Sequence, residues 1–350
     1  MVPLYKPYMP ELPELDSILH SNALSYGDYT KRFENSLKEY FGIPYLMVVN
    51  DFHLAISVAL RSIGIKPGDS AIASPMACLV SMQPLLTYGL KIIWADVDPQ
   101  TGTLDPDSVK NNITKDTRII IHNHFCGFPG HINAINDIGR QYGIPVMDDG
   151  IESFGSEYHG MKIGNCGTDI TVFSLGPVRF CNCIEGGIII FNSKDFYNRG
   201  LLIRDCGIDR SRFRDELGEI NPNCDINLVG YNAKMSNVNG YIGLKQMESI
   251  ATILDKHRQQ AYRWNVFFKE EPQFGIIGRE CCNPNYWVYG ILSNDKAGAI
   301  KLFRKMGYYA SGVHIRNDIY SVFGAKHKSL PGVDVFSRHF VALPCGWWME

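Results

Sequence analysis

The sequence predicts an α/β fold in which helices cover both faces of a mostly parallel sheet, followed by a smaller α+β domain. Short apolar runs alternate with segments whose apolar side chains recur at helical spacing. This alternation is typical of parallel sheets, because their strands are joined by crossover helices. The pattern changes near residue 245, and 350 residues are enough for about two domains. We therefore expect a large domain over residues 1–245 and a small domain over residues 246–350.

The large domain begins with a predicted strand at residues 45–50, followed by a helix that ends before the turn at residues 64–69. Further strands and one helix follow in order, the strands at residues 72–74, 92–95, 118–122 and 145–147 and the helix at residues 132–142. In such sheets the ligand crevice lies beyond the carboxyl ends of the strands. We expect functional side chains directly after these strands.

The small domain is predicted from a different pattern. A long helix at residues 241–265 leads out of the large domain and forms the bridge to the second one. A strand at residues 286–293, a helix at residues 296–306 and a last strand at residues 340–343 complete it.

Charge and hydropathy exclude several classes of partner. The chain has 34 basic and 36 acidic side chains, a net charge of −2, and no long run of like charges. This argues against nucleic acid as a partner. No stretch approaches the 18 or so apolar residues that span a bilayer, and residues 1–13 have no apolar signal core. We expect a cytoplasmic protein without a membrane partner.

The ten cysteines are scattered along the chain and are predicted to be reduced thiols. The closest pairs, Cys181 with Cys183 and Cys281 with Cys282, lack the two-residue gap and the second matching pair of a zinc site. The sequence therefore predicts no metal.

Several motifs occur in a specific order and identify a family resemblance. They are Gly64–Asp69 before a strand, Trp94–Pro99 and Val146–Asp149 at strand ends, Phe173-Ser174 with Glu185-Gly186-Gly187, and Gly230–Ser236. In this order they resemble the DegT/DnrJ/StrS family of sugar aminotransferases, from about Gly27 to Pro344. The resemblance implies the aspartate-aminotransferase-like architecture of fold type I. It also implies pyridoxal phosphate (PLP) bound between two domains of a homodimer, keto-sugar nucleotides as substrates, and a role in polysaccharide or glycosylated-metabolite biosynthesis.

Three residues match the cofactor-binding positions of that family. Asp149 matches the carboxylate that pairs with the pyridine nitrogen and keeps the ring an electron sink. Ser174 matches the phosphate-binding serine, and Asn232 matches the asparagine that reaches the cofactor phosphate of the partner subunit. The alternatives are that Asp149 caps a loop and that Asn232 belongs to a turn before the long helix.

The largest departure from the family is at residue 179. Arg179 lies six residues before Glu185, where the resemblance places the lysine that forms the internal aldimine with PLP. Arginine stays protonated and is no amine nucleophile, so it cannot form this Schiff base. The sequence has no lysine between Lys162 and Lys194 that could replace it. We expect ordinary transamination to fail.

A second departure affects the phosphate site at a helix N-terminus. The family has Gly-Thr after the first strand, where free backbone amides and the helix dipole hold the phosphate. This chain has Asp51-Phe52-His53 there. Phenylalanine prevents close backbone approach, and aspartate brings a like charge to a phosphate. We expect the protein to bind PLP or pyridoxamine phosphate (PMP) weakly, and the alternative is that it binds no cofactor.

A third departure adds a carboxylate after the strand that ends at Asp149. The family commonly has His or Gln where this chain has Glu152, which faces the crevice if the local turn is the same. A solvated or helix-capping glutamate is the other interpretation.

These positions predict the residues of an altered site. The predicted catalytic residues are His53, His124, Asp149, Glu152 and Arg179, and the predicted substrate-binding residues are Arg204, Arg210 and His314. His122 is the better candidate for a buried strand histidine. Histidine and carboxylate bases beside an arginine suit proton abstraction next to a sugar carbonyl, because the ketone acidifies the neighbouring carbon without a cofactor.

Three functions remain open from the sequence. The first is cofactor-independent acid/base isomerisation or rearrangement of a keto-sugar nucleotide. The second is a PLP- or PMP-dependent aminotransferase or dehydratase that works without the lysine. The third is a catalytically silent protein that binds a sugar nucleotide or an active paralogue.

Overall fold

The computed structural model describes residues 1–324 and 329–349. Its helices are α1 Leu15–Leu19, α2 Asp28–Phe41, α3 Phe52–Ser62, α4 Leu79–Thr87, α5 Pro106–Asn112, α6 Ile132–Tyr142, α7 Lys194–Arg204, α8 Asn237–Lys269, α9 Lys296–Lys305 and α10 Pro331–His339. Its strands are β1 Leu46–Val49, β2 Ser70–Ala73, β3 Lys91–Trp94, β4 Thr117–Asn123, β5 Val146–Asp149, β6 Glu157–Tyr158, β7 Met161–Lys162, β8 Ile170–Ser174, β9 Gly187–Phe191, β10 Phe274–Ile276, β11 Cys282–Asn283, β12 Tyr289–Ser293 and β13 Phe340–Leu343.

A seven-stranded sheet organises the larger part of the molecule, with the spatial order β1-β9-β8-β5-β4-β2-β3. The neighbours β3, β2, β4, β5 and β8 are parallel, whereas β9 is antiparallel to both β8 and β1. Every residue of β1, β8 and β9 is buried, as expected for strands covered on both faces. The predicted α/β class with a mostly parallel sheet is confirmed.

The smaller part contains an antiparallel sheet with the order β10-β12-β13. Helix α8 contributes Trp264 and Phe268 to the apolar cluster beside this sheet, and Ile250 and Leu254 to the main core. One helix therefore packs into both cores, which is the bridging role predicted for it. Residue 245, where the sequence places the domain boundary, lies inside α8, and the boundary stays a prediction.

The predicted elements agree with the observed ones except near their ends. Helix α6 and strand β13 have the predicted bounds, whereas α8 is longer at both ends. It begins at Asn237 because the Ser236 side chain caps its first turn by accepting the Asn239 N–H. Strand β12 begins only at Tyr289. Residues before it form a turn in which Asn285 Oδ1 accepts the Trp287 N–H at 2.9 Å.

Two further predictions concern cysteines and membranes. All ten cysteines lie in the described residues, and none forms a disulfide, which agrees with the predicted thiols. Among the helices in residues 1–324 and 329–349, none has the length and apolar character that crossing a bilayer requires.

Candidate active site

The candidate site lies where the parallel strands of the large sheet end. Asp149 is the last residue of β5 and Ser174 the last residue of β8. Cys78 follows β2 at the start of α4, and Glu152 follows β5 by three residues. This is the edge at which open α/β sheets bind ligands, and it is where the sequence predicted the crevice.

Glu152 is at the centre of a buried group of charged side chains. His314 Nε2 lies 2.7 Å from its Oε1, Arg179 Nη1 lies 3.5 Å from the same oxygen, and the Cys126 N–H donates to Oε2 at 3.0 Å. Burial alone raises the pKa of Glu152, but the charges of His314 and Arg179 and the hydrogen bonds from His314 and the Cys126 amide outweigh it and lower the pKa. Glu152 is therefore an ionised and buried carboxylate, so the solvated interpretation is wrong, and its catalytic role stays a prediction.

Trp287 links this group to the loop that carries Arg179. The Arg179 guanidinium lies 5.4 Å from the Trp287 ring, and the His314 imidazole stacks on the same ring at 6.0 Å and 10°. The Trp287 indole N–H donates to the Val178 carbonyl at 2.8 Å, and Tyr5 packs at 5.7 Å. Because Val178 is the neighbour of Arg179, Trp287 fixes both the guanidinium and its backbone.

Asp149 occupies a different electrostatic environment from Glu152. Its side chain is buried, and the hydrogen bond to its Oδ1 is donated by the Ile151 N–H at 3.3 Å. Burial, with a smaller contribution from the charge of Glu152, raises the pKa of Asp149 to about 6. A carboxylate of this kind is ionised at pH 7 and is a better base than a solvated one.

His124 and His122 belong to a second buried cluster around Asp148. His122 Nδ1 lies 2.9 Å and His124 Nε2 lies 3.5 Å from the Asp148 carboxylate, and all three side chains are completely buried. His124 Nδ1 accepts the Gly130 N–H at 3.1 Å. Both imidazoles are thus engaged inside the protein. The structure does not bring His124 into the group around Glu152, because Asp148 holds its ring.

The helix N-terminus at Asp51 is closed by its own side chain. Asp51 Oδ1 accepts the Leu54 N–H at 3.1 Å, and the Phe52 side chain is buried. His53 is exposed on the surface of α3. The Ser57 hydroxyl donates to the His53 backbone carbonyl at 3.0 Å, and the structure does not bring the His53 imidazole to the Glu152 group.

These residues do not fit a covalently held PLP. Arg179 offers a guanidinium that already faces Glu152 and Trp287, and a carboxylate occupies the helix N-terminus that would hold the phosphate. Asp149 and Ser174 end neighbouring parallel strands, and the Ser174 hydroxyl accepts the Gly176 N–H at 3.2 Å; their cofactor-binding roles stay predictions.

The predicted substrate-binding arginines are held by other side chains. Arg204 is buried, pairs with Glu34 at 2.5 Å and donates to the Val48 carbonyl at 3.0 Å. It joins α7 to α2 and β1, so the prediction that it grips a substrate is wrong. Arg210 is half-exposed and makes two 2.7 Å hydrogen bonds to Asp205.

Asn232, the residue predicted to reach a partner subunit, has an exposed side chain. Its backbone carbonyl accepts a hydrogen bond from the Asn50 side chain at 3.3 Å, and it forms a bridge with Asp205. Both contacts involve the backbone of Asn232 and leave its side chain exposed. The role of that side chain in a dimer stays a prediction.

Sequence reasoning missed two residues of the site. Trp287 precedes a strand of the small domain, and nothing in its spacing pointed to Arg179. Cys78 was predicted only as one of ten reduced thiols, yet its Sγ lies within 4.8 Å of the ligand atoms of Glu152 and His314. The one signal that could have found Cys78 is its position five residues after the end of β2, at the ligand edge of the sheet.

Comparisons with known proteins give the same lineage. Residues 9–346 match the model of the DegT/DnrJ/EryC1/StrS aminotransferase family. GDP-perosamine synthase of Escherichia coli O157:H7 is 28% identical over 299 residues, which cover 83% of this chain and 78% of that protein. The crystal structure of the sugar aminotransferase CalS13 from Micromonospora echinospora has a TM-score of 0.91 and 27% identity, covering 100% of this chain and 96% of that one.

A third comparison is informative about the fold alone. The crystal structure of a GDP-4-keto-6-deoxymannose-3-dehydratase with a trapped PLP-glutamate geminal diamine has a TM-score of 0.86 and 20% identity. It covers 99% of this chain and 96% of that one. The fold-type-I architecture predicted from the sequence is thus confirmed over the whole chain.

Proposed function

The chain belongs to the DegT/DnrJ/EryC1/StrS aminotransferase family, and from this premise we propose that it acts on a keto-sugar nucleotide by acid/base chemistry without an internal aldimine. The observation that carries the proposal is the position of Arg179. It stands where the resemblance expects lysine, and it is held beside the Glu152–His314 pair. This combination supports proton transfer and stabilisation of a negative oxygen.

The proposed reaction is isomerisation through an enolate. The C–H bond next to the ketone breaks, its proton passes to the Asp149 carboxylate, and the electron pair moves onto the carbonyl oxygen. Arg179 stabilises that oxygen with its fixed positive charge, and His314 adds a second N–H donor. Protonation of the same carbon from the opposite face, with Asp149 releasing its proton to solvent, inverts that carbon and completes an isomerisation with no net oxidation or reduction.

Deuterium exchange tests this proposal directly. We expect the purified protein to incorporate solvent deuterium into a GDP- or dTDP-linked 4-keto-6-deoxy sugar, measured by mass spectrometry in deuterated buffer. Asp149→Asn should slow the incorporation by about 100-fold, because it removes the base. Asp137→Asn is the matched control, since Asp137 is exposed and lies on α6, away from the site.

Two other functions each have one observation in their favour. The retained Asp149 and Ser174 favour a PLP- or PMP-dependent enzyme without the lysine. The closed pairing of Arg179, Glu152 and His314 favours a catalytically silent sugar-nucleotide-binding protein or a partner of an active paralogue. A PLP absorbance band in the purified protein would favour the PLP- or PMP-dependent enzyme. Binding of GDP- and dTDP-linked 4-keto-6-deoxy sugars without deuterium uptake into any of them would favour the catalytically silent protein. Either result would contradict the cofactor-independent reaction.

The partner and compartment are proposed on the family premise as well. We expect a homodimer in which the exposed Asn232 faces the partner subunit, and a cytoplasmic protein, because nucleotide sugars are made and used there. Light scattering after size-exclusion chromatography tests the first expectation. A monomer at micromolar concentration would contradict it.

A further inference from the structure

Three side chains in the crevice form a cluster that the proposed reaction uses only in part. The Cys78 Sγ, a carboxylate oxygen of Glu152 and a ring nitrogen of His314 all lie within 4.8 Å of one another. Cys78 and Glu152 are buried and His314 is partly buried. We propose that Cys78, Glu152 and His314 bind a thiophilic divalent cation such as Zn²⁺. The spacing of the closest cysteine pairs predicted no metal, and spacing does not reveal this site, because its ligands lie far apart at positions 78, 152 and 314.

The ligand types and their number suit zinc. Thiolate, imidazole and carboxylate are the ligands that zinc takes in proteins, and three protein ligands leave one position open for water or substrate. The ligands also come from three separate elements: the start of α4, the loop after β5 and a loop of the small domain. A site of this kind forms only when the two domains are in place.

Loading the site requires a small movement. His314 Nε2 and Glu152 Oε1 are 2.7 Å apart, whereas two such atoms around one tetrahedral zinc are separated by about 3.3 Å. The gap must widen by about 0.6 Å, and His314 lies in a loop rather than in a helix or strand. The proton between the two atoms leaves when the metal takes the nitrogen lone pair.

The surrounding charges are compatible with a cation. The Cys78 thiolate and the Glu152 carboxylate together neutralise the two positive charges of Zn²⁺. Arg179 faces Glu152 Oε1 at 3.5 Å. Burial, with smaller contributions from the charges of Glu152 and Asp149, raises the pKa of the Cys78 thiol to about 12, so the thiolate forms only as the metal displaces the thiol proton. The positive charge of Arg179 is offset by the negative charge of Asp149, and the loaded site is close to neutral.

A bound cation would deepen the proposed function. Its catalytic role rests on the proposed function: at its open position the metal would bind the ketone oxygen of the substrate and act as a Lewis acid. The stabilisation of the oxygen that the His314 N–H otherwise supplies would then come from the metal. Binding itself does not depend on that reaction and is measured separately.

Cobalt substitution tests the site with a readout independent of activity. We expect the full-length protein, stripped with a chelator, to bind one equivalent of Co²⁺ with a thiolate-to-metal charge-transfer band. Zn²⁺ should displace it. Cys78→Ser should abolish the band, and Glu152→Gln should weaken Co²⁺ binding by at least about tenfold.

The control variants are Cys166→Ser and Cys345→Ser, which replace buried cysteines outside the cluster and should retain the band. Far-ultraviolet circular dichroism confirms that each variant is folded.

No Co²⁺ band in the wild-type chain, or an unchanged band in Cys78→Ser, would overturn the metal site. Deuterium exchange that persists in chelator while Co²⁺ fails to bind would overturn the metal site alone. A Co²⁺ complex without any exchange would overturn the reaction alone.

Discussion

Two histidine–carboxylate clusters lie at the same edge of the sheet and differ in how they are built. The Asp148 cluster takes both histidines from β4 and its vicinity, and its three side chains are completely buried. The Glu152 cluster takes His314 from the small domain, and the His314 side chain remains 18% exposed. The difference teaches that, in this molecule, the histidines supplied by the sheet and its immediate continuation are fully enclosed, whereas the histidine supplied by a distant loop keeps an exposed side.

Removing the charge of Asp148 is expected to have the largest effect in this comparison. Asp148→Asn leaves two buried imidazoles without their anion, and such a loss costs about 3 kcal/mol of unfolding free energy. Urea denaturation at pH 7 measures it. Asp137→Asn, an exposed position, should change stability by less than about 0.5 kcal/mol. Equal effects of the two variants would show that the buried cluster does not stabilise the fold.

The second prediction concerns acid sensitivity. Burial lowers the pKa of His122 to about 4 and that of His257 to about 4, so the unfolded chain binds more protons between pH 6.5 and 4. Stability is therefore fully present above pH 6.5 and is lost as the pH falls towards 4.

Asp149 acts in the opposite direction, because its pKa is raised to about 6. The net loss between pH 7 and pH 5 is about 2 kcal/mol, which urea midpoints at the two pH values measure. His122→Asn should remove most of this pH dependence. A wild-type protein that is equally stable at both pH values would contradict the assignment of neutral buried imidazoles.

The third prediction concerns the Glu152 cluster. Glu152→Gln keeps the shape of the side chain but removes the charge that holds His314 and Arg179. Because these groups act on the ligand in the proposed reaction, deuterium exchange should fall by about tenfold. The loss of stability should stay below that of Asp148→Asn. A larger loss of stability than for Asp148→Asn would mean that the Glu152 cluster is the structural one.

The smallest effect is expected from Trp287→Phe. Phenylalanine retains an aromatic surface for His314 and Arg179 but loses the N–H that donates to the Val178 carbonyl. The cost is about 1 kcal/mol, measured by urea denaturation. Trp287→Leu, which also removes the aromatic contacts, should cost more. Equal losses for the two variants would assign the whole effect to the hydrogen bond.

Much of the fold followed from local patterns, because apolar periodicity reports burial and burial decides which segments become strands. Strand β13 and helix α6 were predicted to the residue on this basis. The strand at 286–293 was predicted too long, because Asn285 Oδ1 accepts the Trp287 N–H in a turn before it. The Asn285 amide also donates to the carbonyls of Glu152 and Phe154, and such distant partners are not contained in a periodicity.

The candidate site was predictable only where a residue's place in the sheet determined its surroundings. Asp149 ends β5 and Glu152 follows it by three residues, so the family resemblance and the edge of the sheet together located them. Arg204 follows no strand of that edge, and its charge alone suggested a ligand. The buried Glu34 that neutralises it lies 170 residues away. Cys78 and Trp287 were missed for the same reason, since their partners come from other parts of the chain.

The surroundings of Arg179 bear on what a single change at this position can achieve. Its guanidinium lies over Trp287 and beside Glu152, and the carbonyl of its neighbour Val178 accepts a hydrogen bond from the same indole. Arg179→Lys would leave these neighbours arranged around a longer, planar cation and the Asp51 cap still in place. We therefore expect that this change alone does not create a site for covalently bound PLP.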